Sequence, residues 1–420
     1  MIETKFKETE VGRVPADWEV KTLGEIGSFS KGMGISRAES NTGSIPAIRY
    51  GEIYTSHNDY IKGFFSYINE DVASRSKRLK CGDILFTASG ETKEDIAKAV
   101  AFIDDIEAYA SGDIIVLSPK TQVDSKCLGF LLNTEYVIKQ RASKAQGDAI
   151  VHITTNSIQS IAVSLPPLPE QRRIASVLSN IDDLISSLDT LIEKKRNIKQ
   201  GAMRQLLTGK TRLKGFTEPW VEKKLGEIGY TYNGLSGKSA DDFGHGNAQY
   251  ITFLNILNNV KIDTRILEKV SVDNTERQNA VQKGDLFFNT SSETPEEVGI
   301  CSVLLEEMTD TYLNSFCFGY RVVDSEVLEL YLSYYFRSRM GRKLMSYLAQ
   351  GSTRYNLSKD SFLKSSMVIP STISEQHAIA SILTKMDDEI AALEQKREKY
   401  VALKQGMMQQ LLTGKIRLTD

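Results

Sequence analysis

Apolar positions along the chain follow two different periods, which predict two kinds of element. Short alternating or β-branched runs bounded by Gly, Asn and Asp predict strands at Ile45–Tyr50, Asp113–Leu117 and Tyr250–Leu254. The apolar spacing becomes helical around residues 128–145 and 329–349. Runs of both kinds occur within about 1–165 and again within about 216–370. We therefore predict two mixed α/β domains, each with a curved sheet.

A longer helical pattern follows each of these domains. After Pro166–Pro169, which sets an extended approach, apolar residues recur at spacings of four and three, as in a coiled coil. The predicted helix-pairing residues are Ile174, Leu178, Ile181, Ile185, Leu188 and Ile192, and then Ile379, Leu383, Met386, Ile390 and Leu393. Gly209 and Gly414 are the predicted stops. The predicted organisation is a domain over 1–165, a helix over 166–215, a domain over 216–370 and a helix over 371–420.

The chain is a tandem duplication. Trp18–Gly27 returns as Trp220–Gly229 and Gly82–Phe86 returns as Gly284–Phe288. The longest match aligns residues 170–213 with 375–418, with 24 identities in 44 positions. A period near 200 residues is too long for a solenoid or a propeller, so each copy is a whole domain with its helix.

Duplication suggests how the two helices pair. Equivalent helices that leave equivalent domains can bury their apolar sides against each other if they run antiparallel. Such a pair makes a pseudo-two-fold α/β fold, with the domains held apart by a rod of roughly 50 Å. Parallel pairing is less economical, because the second domain would have to carry the chain back along the rod. The alternative is that each helix packs separately on its own domain.

Composition limits the classes of protein. The 420 residues include 25 % charged and 41 % hydrophobic residues and carry a net charge of −2. No stretch is long and apolar enough to cross a membrane, and the polar beginning is unlike a signal peptide, so we expect a cytoplasmic location. The four cysteines stand far apart, which argues against both a disulfide framework and a zinc site. We expect no metal site.

Enzyme signatures are present only as near misses. Gly234–Ser239 resembles a P-loop, but Tyr232 occupies the position of its first glycine. Ser164–Leu168 lacks the aromatic residue of a base-flipping methyltransferase motif. Glu91–Lys93 could be half of a nuclease site, but no second acidic residue is fixed by spacing. We therefore expect no catalytic residues in this chain.

The repeated motifs resemble those of a known family. Gly12–Pro15, Trp18, Leu23–Ile26, Gly82–Phe86, Leu165–Gln171 and Gln205–Gly209, all repeated once, are similar to the specificity subunit of type I restriction-modification systems. The resemblance covers essentially the whole chain. One departure is Pro370–Ser374, which stands where the first copy has Pro-Pro-Leu-Pro.

The resemblance implies a function and a set of partners. It implies two target-recognition domains, each of which reads one half of a split site in double-stranded DNA. It also implies that catalysis lies in partners: two methyltransferase subunits that modify adenines, and endonuclease subunits that translocate DNA. S-adenosylmethionine, ATP and Mg would then be cofactors of those partners and not of this chain.

Candidate DNA-binding residues lie in loops at matching places of the two copies. Base reading uses Arg, Asn, Gln, Ser or Thr side chains that present hydrogen-bond donors and acceptors. The candidates in the first copy are Lys31, Arg37, Arg49, Ser89, Lys93, Lys144, Gln146, Thr154 and Thr155. Those in the second copy are Lys238, Thr252, Ser291, Ser292, Arg339, Gln350, Ser352, Thr353, Arg354 and Asn356. Arg49 and Thr252 are predicted on matching strands.

Charge is distributed unevenly along the chain. The net charge is −3 over 1–165, +5 over 166–215, −4 over 216–370 and zero over 371–420. Phosphate attraction should therefore be weak outside local basic clusters, for which 75–80, 139–144 and 337–343 are the candidates. A rod of roughly 50 Å would separate the half-site centres by on the order of 10 to 15 base pairs.

Two alternatives to the specificity subunit remain at the level of sequence. The chain could be a duplicated coiled-coil scaffold for protein interactions with no DNA role. It could also be an enzyme with an unrecognised site.

Overall fold

The protein is described by a computed structural model over residues 5–147, 150–273 and 275–419. The chain folds into two compact units. Unit 1 comprises Met1–Leu188 with Lys396–Asp420, and unit 2 comprises Asp189–Gln395. No helix in the described part of the chain is long and apolar enough to span a membrane.

Two four-stranded sheets form the centre of unit 1. The first is antiparallel, and its strands are Ala99–Ala101, Ile84–Thr87, Ile114–Pro119 and Gly27–Lys31, in spatial order. The second is mixed, with the order Ser66–Ile68, Ile45–Ile48, Tyr109–Ala110 and Lys77–Arg78. Three strand pairs join Phe6–Thr9 to Gly12–Pro15, Glu19–Thr22 to Ala162–Leu165, and Ser89–Gly90 to Val151–His152. Both faces of the first sheet are buried: Phe86 and Leu117 lie in one apolar cluster, and Leu85 and Val116 lie in another.

Short helices cover the sheets of unit 1. They span Leu23–Ile26, Tyr50–Thr55, Glu70–Ser74, Ser125–Leu132, Glu135–Ser143 and Thr155–Gln159, with a 3₁₀ turn at Arg37–Glu39. The helical pattern around 128–145 is thus divided into two helices at Asn133. The side chain of Asn133 donates to the carbonyl of Ala99 at 2.8 Å and so ties this break to the sheet.

Unit 2 repeats this plan. Its antiparallel sheet has the order Gly229–Asn233, Cys317–Val322, Leu286–Asn289 and Cys301–Val303, and its mixed sheet has the order Glu268–Val270, Phe243–Ile251 and Thr311–Leu313. Ser291–Ser292, Tyr355–Leu357 and Ala349–Gln350 form a three-stranded sheet, and Trp220–Lys224 pairs with Ser366–Pro370. The short helices span Leu225–Ile228, Phe253–Asn258, Glu329–Arg337, Arg339–Leu348 and Lys359–Lys364, with 3₁₀ turns at Ala240–Asp242, Thr264–Ile266 and Pro295–Glu297.

Two long helices of 39 residues each span Leu168–Leu206 and Ile373–Leu411. The first begins inside the Pro-Pro-Leu-Pro motif, because Pro169 falls in the first turn, where no backbone donor is needed. In the second copy Thr372 replaces this device, and its side chain accepts from the backbone N–H of Glu375 at 3.4 Å.

The helices run antiparallel within each unit. In unit 1 the Lys404 ammonium pairs with Asp182 at 2.8 Å, so the end of the second helix faces the beginning of the first. In unit 2 Lys195 pairs with Glu389 at 2.6 Å. Apolar packing agrees with these pairs: Ile174 and Leu178 share a buried cluster with Leu411 and Leu412, and Ile379 and Leu383 share another with Met203 and Leu206. The predicted antiparallel arrangement of the fold is confirmed.

The repeated Glu-Gln pair anchors the start of each long helix. Buried Glu170 accepts two bonds from the Arg417 guanidinium at 2.8 Å, and it also accepts one from the indole of Trp18 at 3.2 Å. In unit 2 Arg212 binds buried Glu375 in the same two-pronged way, at 2.7 and 2.8 Å. The arginine after each long helix therefore holds the start of the other long helix, which explains why Leu-Leu-Thr-Gly-Lys-x-Arg-Leu occurs twice.

Candidate nucleic-acid interface

A short turn at Ser111–Asp113 connects the candidate loops of unit 1. On one side, Gly112 N–H donates to the carbonyl of Gly34 at 3.1 Å, inside the loop that carries Lys31 and Arg37. On another side, the Ser111 hydroxyl accepts from the N–H of Tyr50, next to Arg49, at 3.3 Å. Asp113 carbonyl accepts from Ala88 N–H at 2.9 Å, next to Ser89. We call this assembly the unit 1 loop cluster (residues 31–37, 49–50, 87–93, 111–113, 146–147 and 150–155).

The loop after helix Glu135–Ser143 joins the same cluster through backbone bonds. Ser89–Gly90 pairs antiparallel with Val151–His152, and His152 exchanges two backbone bonds with Gln146 at 2.8 and 2.9 Å. The Ser89 hydroxyl is 3.0 Å from Nδ1 of His152. Asp148 and Ala149, which belong to the same predicted loop, lie outside the described residues.

Unit 2 has an equivalent turn at Asn314–Phe316. The N–H of Asn314 donates to the carbonyl of Ile251 at 3.2 Å, next to Thr252. Phe316 carbonyl accepts from Thr290 N–H at 3.0 Å, next to Ser291. We call this assembly the unit 2 loop cluster (residues 233–238, 252–254, 290–294, 314–316 and 350–356).

A three-stranded sheet supports the predicted residues of the unit 2 loop cluster. Ser291 lies opposite Asn356, and Asn356 lies opposite Gln350 on its other side. The Arg354 guanidinium donates to the Ser291 hydroxyl at 3.3 Å. Gln350, Arg354 and Asn356 are exposed, as are Ser352 and Thr353 in the connecting turn. Five predicted base-reading side chains therefore share one polar surface with Ser291.

Backbone conformation explains why glycine occurs in the repeated Gln-Gly pair. Gly147 and Gly351 both have positive φ angles, and a Cβ at either position would lie about 2 Å from a carbonyl oxygen, that of Ile150 or of Arg354. Only glycine fits the turn that presents the residues after it.

Several predicted residues have local structural partners. Arg49 and Thr252 lie just beyond their strands and not on them, which corrects the prediction. Thr252 is a helix N-cap whose hydroxyl accepts from Asn255 N–H at 3.2 Å, and Thr154 caps Thr155–Gln159 in the same way.

The side chain of Lys238 is 5 % exposed and pairs with Glu276 at 2.5 Å. The Ser292 hydroxyl donates to Glu297 at 3.0 Å.

The remaining candidates differ in exposure. Lys31, Arg37 and Lys93 are exposed, and Lys144 is half-buried at the end of its helix. Arg339 is the exposed first residue of helix Arg339–Leu348.

Three arginines of the basic clusters 139–144 and 337–343 are used inside the protein, which corrects their interpretation as phosphate contacts, whereas Arg75, Arg78, Lys80, Lys139, Arg339 and Lys343 are exposed. Arg141 donates to the carbonyl of Ala97 at 2.6 Å, and Arg342 donates to that of Gly299 at 2.7 Å. Arg337 donates to the carbonyls of Ile256 and Asn259 at 2.6 Å. Burial lowers the pKa of Arg141 and that of Arg342 to about 10, so each remains charged at neutral pH while it binds backbone oxygens.

Sequence reasoning missed the two central turns. Ser111–Asp113 and Asn314–Phe316 were absent from the candidates because they are short and carry no repeated motif. The available signal was the polar pair Asn314-Ser315, which separates the apolar residue Leu313 from Phe316 and the strand Cys317–Val322. In the structure the side chain of Phe316 is 63 % exposed.

Comparison with known proteins identifies the family. The profile of the type I restriction modification DNA specificity domain matches residues 15–198 and again 217–402. The type I restriction enzyme MjaVIII specificity subunit of Methanocaldococcus jannaschii is 25 % identical over 448 aligned positions, which cover 100 % of this chain and 97 % of that protein. The EcoKI specificity subunit of Escherichia coli is 20 % identical, with 97 % and 90 % covered.

Solved structures share the fold. The S subunit of the type I restriction-modification system from M. genitalium superposes with a TM-score of 0.59 at 14 % identity, over 94 % of this chain and 96 % of that one. A chain from work on complex assembly and conformational transition of the type I R-M system gives 0.58 at 17 % identity, over 96 % and 99 %. Because the family profile covers most of the sequence in two copies, the chain belongs to the type I restriction-modification DNA specificity family.

Proposed function

We propose that this chain is the DNA-sequence specificity subunit of a type I restriction-modification complex and that each loop cluster reads one half of a bipartite target. The observation that carries the proposal is the pair of loop clusters, which have equivalent backbone frames but different side chains. Where unit 1 places Ser89 beside His152, unit 2 places Ser291 beside Asn356. Equal frames with unequal side chains suit two half-sites of different sequence, so the target is asymmetric.

The side chains of the unit 2 loop cluster match the chemistry of base edges. Arginine pairs with guanine through two bonds, and asparagine or glutamine does the same with adenine in the major groove. Arg354, Asn356 and Gln350 are exposed together on one small sheet. The corresponding positions in unit 1 are occupied by Gln146, Ser89 and His152.

Catalysis in this proposal belongs to partner subunits. Two methyltransferase subunits would modify adenines with S-adenosylmethionine, and endonuclease subunits would use ATP and Mg to translocate and cleave DNA. The chain itself would remain non-catalytic. Its relatives are specificity subunits by description, which favours this reading over a coiled-coil scaffold with no DNA role.

The test is the methylation pattern of a host that expresses the chain with its own partner subunits. Sequencing of the modified adenines should show one split, asymmetric motif. Asn356→Ala should relax the preference at one position of one half-site, and Gln146→Ala should act on the other half only. Asn197→Ala, which removes an exposed amide from the first long helix, is the matched control and should leave the motif unchanged.

A contrary result is equally clear. If Asn356→Ala and Gln146→Ala leave every motif position as selective as Asn197→Ala does, the loop clusters do not read bases. Methylation without any motif would favour the scaffold alternative.

A further inference from the structure

Phe316 lies at the centre of the unit 2 loop cluster with its side chain in the open. The ring is 63 % exposed, although aromatic residues in this unit are otherwise used heavily in the core, as Phe287, Phe288 and Phe318 show. Leu254, on the helix that Thr252 caps, is 64 % exposed. The unit 2 loop cluster thus carries two large exposed apolar side chains.

The backbone of Phe316 is fixed on both sides. Its N–H donates to the side-chain oxygen of Asn314 at 2.9 Å, and Asn314 is itself buried and donates to the carbonyl of Ile251 at 3.0 Å. Its carbonyl accepts from both the N–H and the hydroxyl of Thr290, at 3.0 and 2.6 Å. The backbone that carries the exposed ring is therefore fixed before any ligand arrives, which reduces the ordering cost of binding.

Unit 1 has a different residue at the equivalent position. Asp113 makes the same backbone bond to Ala88 that Phe316 makes to Thr290, and its side chain is exposed. The two loop clusters therefore present an apolar group at the centre of one and a carboxylate at the centre of the other. Asp113 has a φ angle of 59°, a left-handed conformation that aspartate tolerates, so its identity also suits its own turn.

We infer that Phe316 determines specificity by packing against the 5-methyl group of a thymine in the half-site of unit 2. The thymine methyl is the apolar group that the major groove presents, and phenylalanine is among the side chains that contact it. A carboxylate at the same place, as in Asp113, would instead accept a hydrogen bond from the amino group of cytosine. This inference rests on the proposed function and specifies one base, a thymine, that unit 2 recognises.

The experiment uses the complete complex and duplexes that carry its methylated motif. Each thymine of the unit 2 half-site is replaced in turn by deoxyuridine, which lacks only the methyl group. Wild type should lose about fivefold to tenfold in affinity at one position, as expected for one buried methyl group with its packing. Phe316→Ala should lose a similar factor on thymine DNA and should no longer distinguish the two duplexes. Phe316→Leu should restore part of the discrimination.

Deoxyuridine in the unit 1 half-site provides the internal control, because its effect should be the same in wild type and in Phe316→Ala. The inference is overturned if Phe316→Ala binds as tightly as wild type, or if it weakens binding while the thymine-to-deoxyuridine ratio stays at the wild-type value at every position. A wild-type complex with no sequence preference would instead overturn the proposed function itself.

Discussion

Glu170 and Glu375 anchor the starts of the two long helices. Each is almost fully buried and is bound by a guanidinium through two bonds, with Arg417 also bound to Asp17 in unit 1. The guanidinium of Arg417 holds the pKa of Asp17 below its usual value. Removal of the Glu170 charge takes one of two carboxylates from the largely buried Arg417 guanidinium and leaves Asp17 as its remaining partner, so the cost should be smaller than that of a buried charge left with no partner.

Glu170→Gln should therefore lower the free energy of unfolding by about 2 kcal/mol. Denaturant titration of the purified chain, followed by tryptophan fluorescence, measures this directly because Trp18 contacts the same carboxylate. Glu19→Gln is the matched control. It breaks an ion pair with Lys21 in which the Glu19 side chain is 68 % exposed, so the free energy of unfolding should stay close to that of wild type. Equal losses in the two variants would contradict the assigned role.

His57 gives the stability of unit 1 a dependence on acid. Its side chain is 3 % exposed, and burial, together with the charge of Lys98, lowers its pKa to about 4. The unfolded chain takes up this proton near pH 6.5, whereas the folded chain does so only near 4. Stability is therefore lost as the pH falls through this window, by about 2 kcal/mol.

Unfolding titrations at pH 7 and pH 5 should show this loss in wild type, and His57→Gln should reduce it. His245→Gln replaces an exposed histidine and should leave the wild-type difference unchanged. If both variants retained the full acid loss, its origin would lie in other groups.

The candidate loops were predictable from the sequence at the level of segments, but their internal roles were not. Ser, Thr, Asn and Gln in matching loops marked segments that the structure brings together within each unit, because the repeat supplied two independent copies of each, and their contact with DNA stays a prediction. Whether an arginine side chain is available to contact DNA depends on carbonyls far away in the sequence. Arg141 binds the carbonyl of Ala97 and Arg342 binds that of Gly299, and neither contact can be predicted from the local sequence. Lys238 is likewise paired with Glu276, 38 residues away.

At the scale of elements, the long helices were the most predictable part of the fold. The 4-3 spacing of apolar residues continues over many turns, so the prediction does not depend on any single residue. The shorter helical pattern near 128–145 was less informative, since a break at Asn133 depends on tertiary contacts with Ala99. The family and the mixed α/β fold with antiparallel helices are confirmed.

Helix length should set the spacing of the two half-sites. Removal of 187–193 and 395–401 deletes two turns from each long helix and preserves the seven-residue apolar repeat. Each helix becomes about 10 Å shorter, which corresponds to about three base pairs. Sequencing of modified adenines should show the same two half-sites with a shorter spacer. An unchanged spacer would contradict a role of the helices in setting the distance.

Deletion of five residues from each helix is the control for this experiment. It removes roughly 7.5 Å but rotates one part of the apolar side by about 140° relative to the other. The shorter deletion should therefore reduce the yield of folded protein, whereas the seven-residue deletion should not.

At the scale of the whole molecule, charge is the limiting property for DNA binding. The net charge is −2, and Arg141 and Arg337 of two basic clusters bind the protein's own backbone. The overall attraction for phosphates is therefore weak, and phosphate contacts supply most of the sequence-independent affinity for DNA.

The isolated chain should consequently bind its target with a Kd above about 1 μM at 0.15 M salt, with a shallow salt dependence. The assembled complex should bind the same duplex at about 10 nM or tighter. Fluorescence anisotropy over a range of salt concentrations measures both quantities. Nanomolar binding by the chain alone would show that the loop clusters supply the affinity without partners.

The composition of unit 1 has a consequence for synthesis. Unit 2 is one continuous stretch, but unit 1 needs Lys396–Asp420 as well as its first 188 residues. Trp18 and Glu170 leave the ribosome long before Arg417, the residue that binds the Glu170 carboxylate. The half of the protein that is translated first is therefore the last to be completed, and a chain that ends at Gln395 contains all of unit 2 but lacks Leu411 and Leu412 of the unit 1 core and the arginine that binds Glu170.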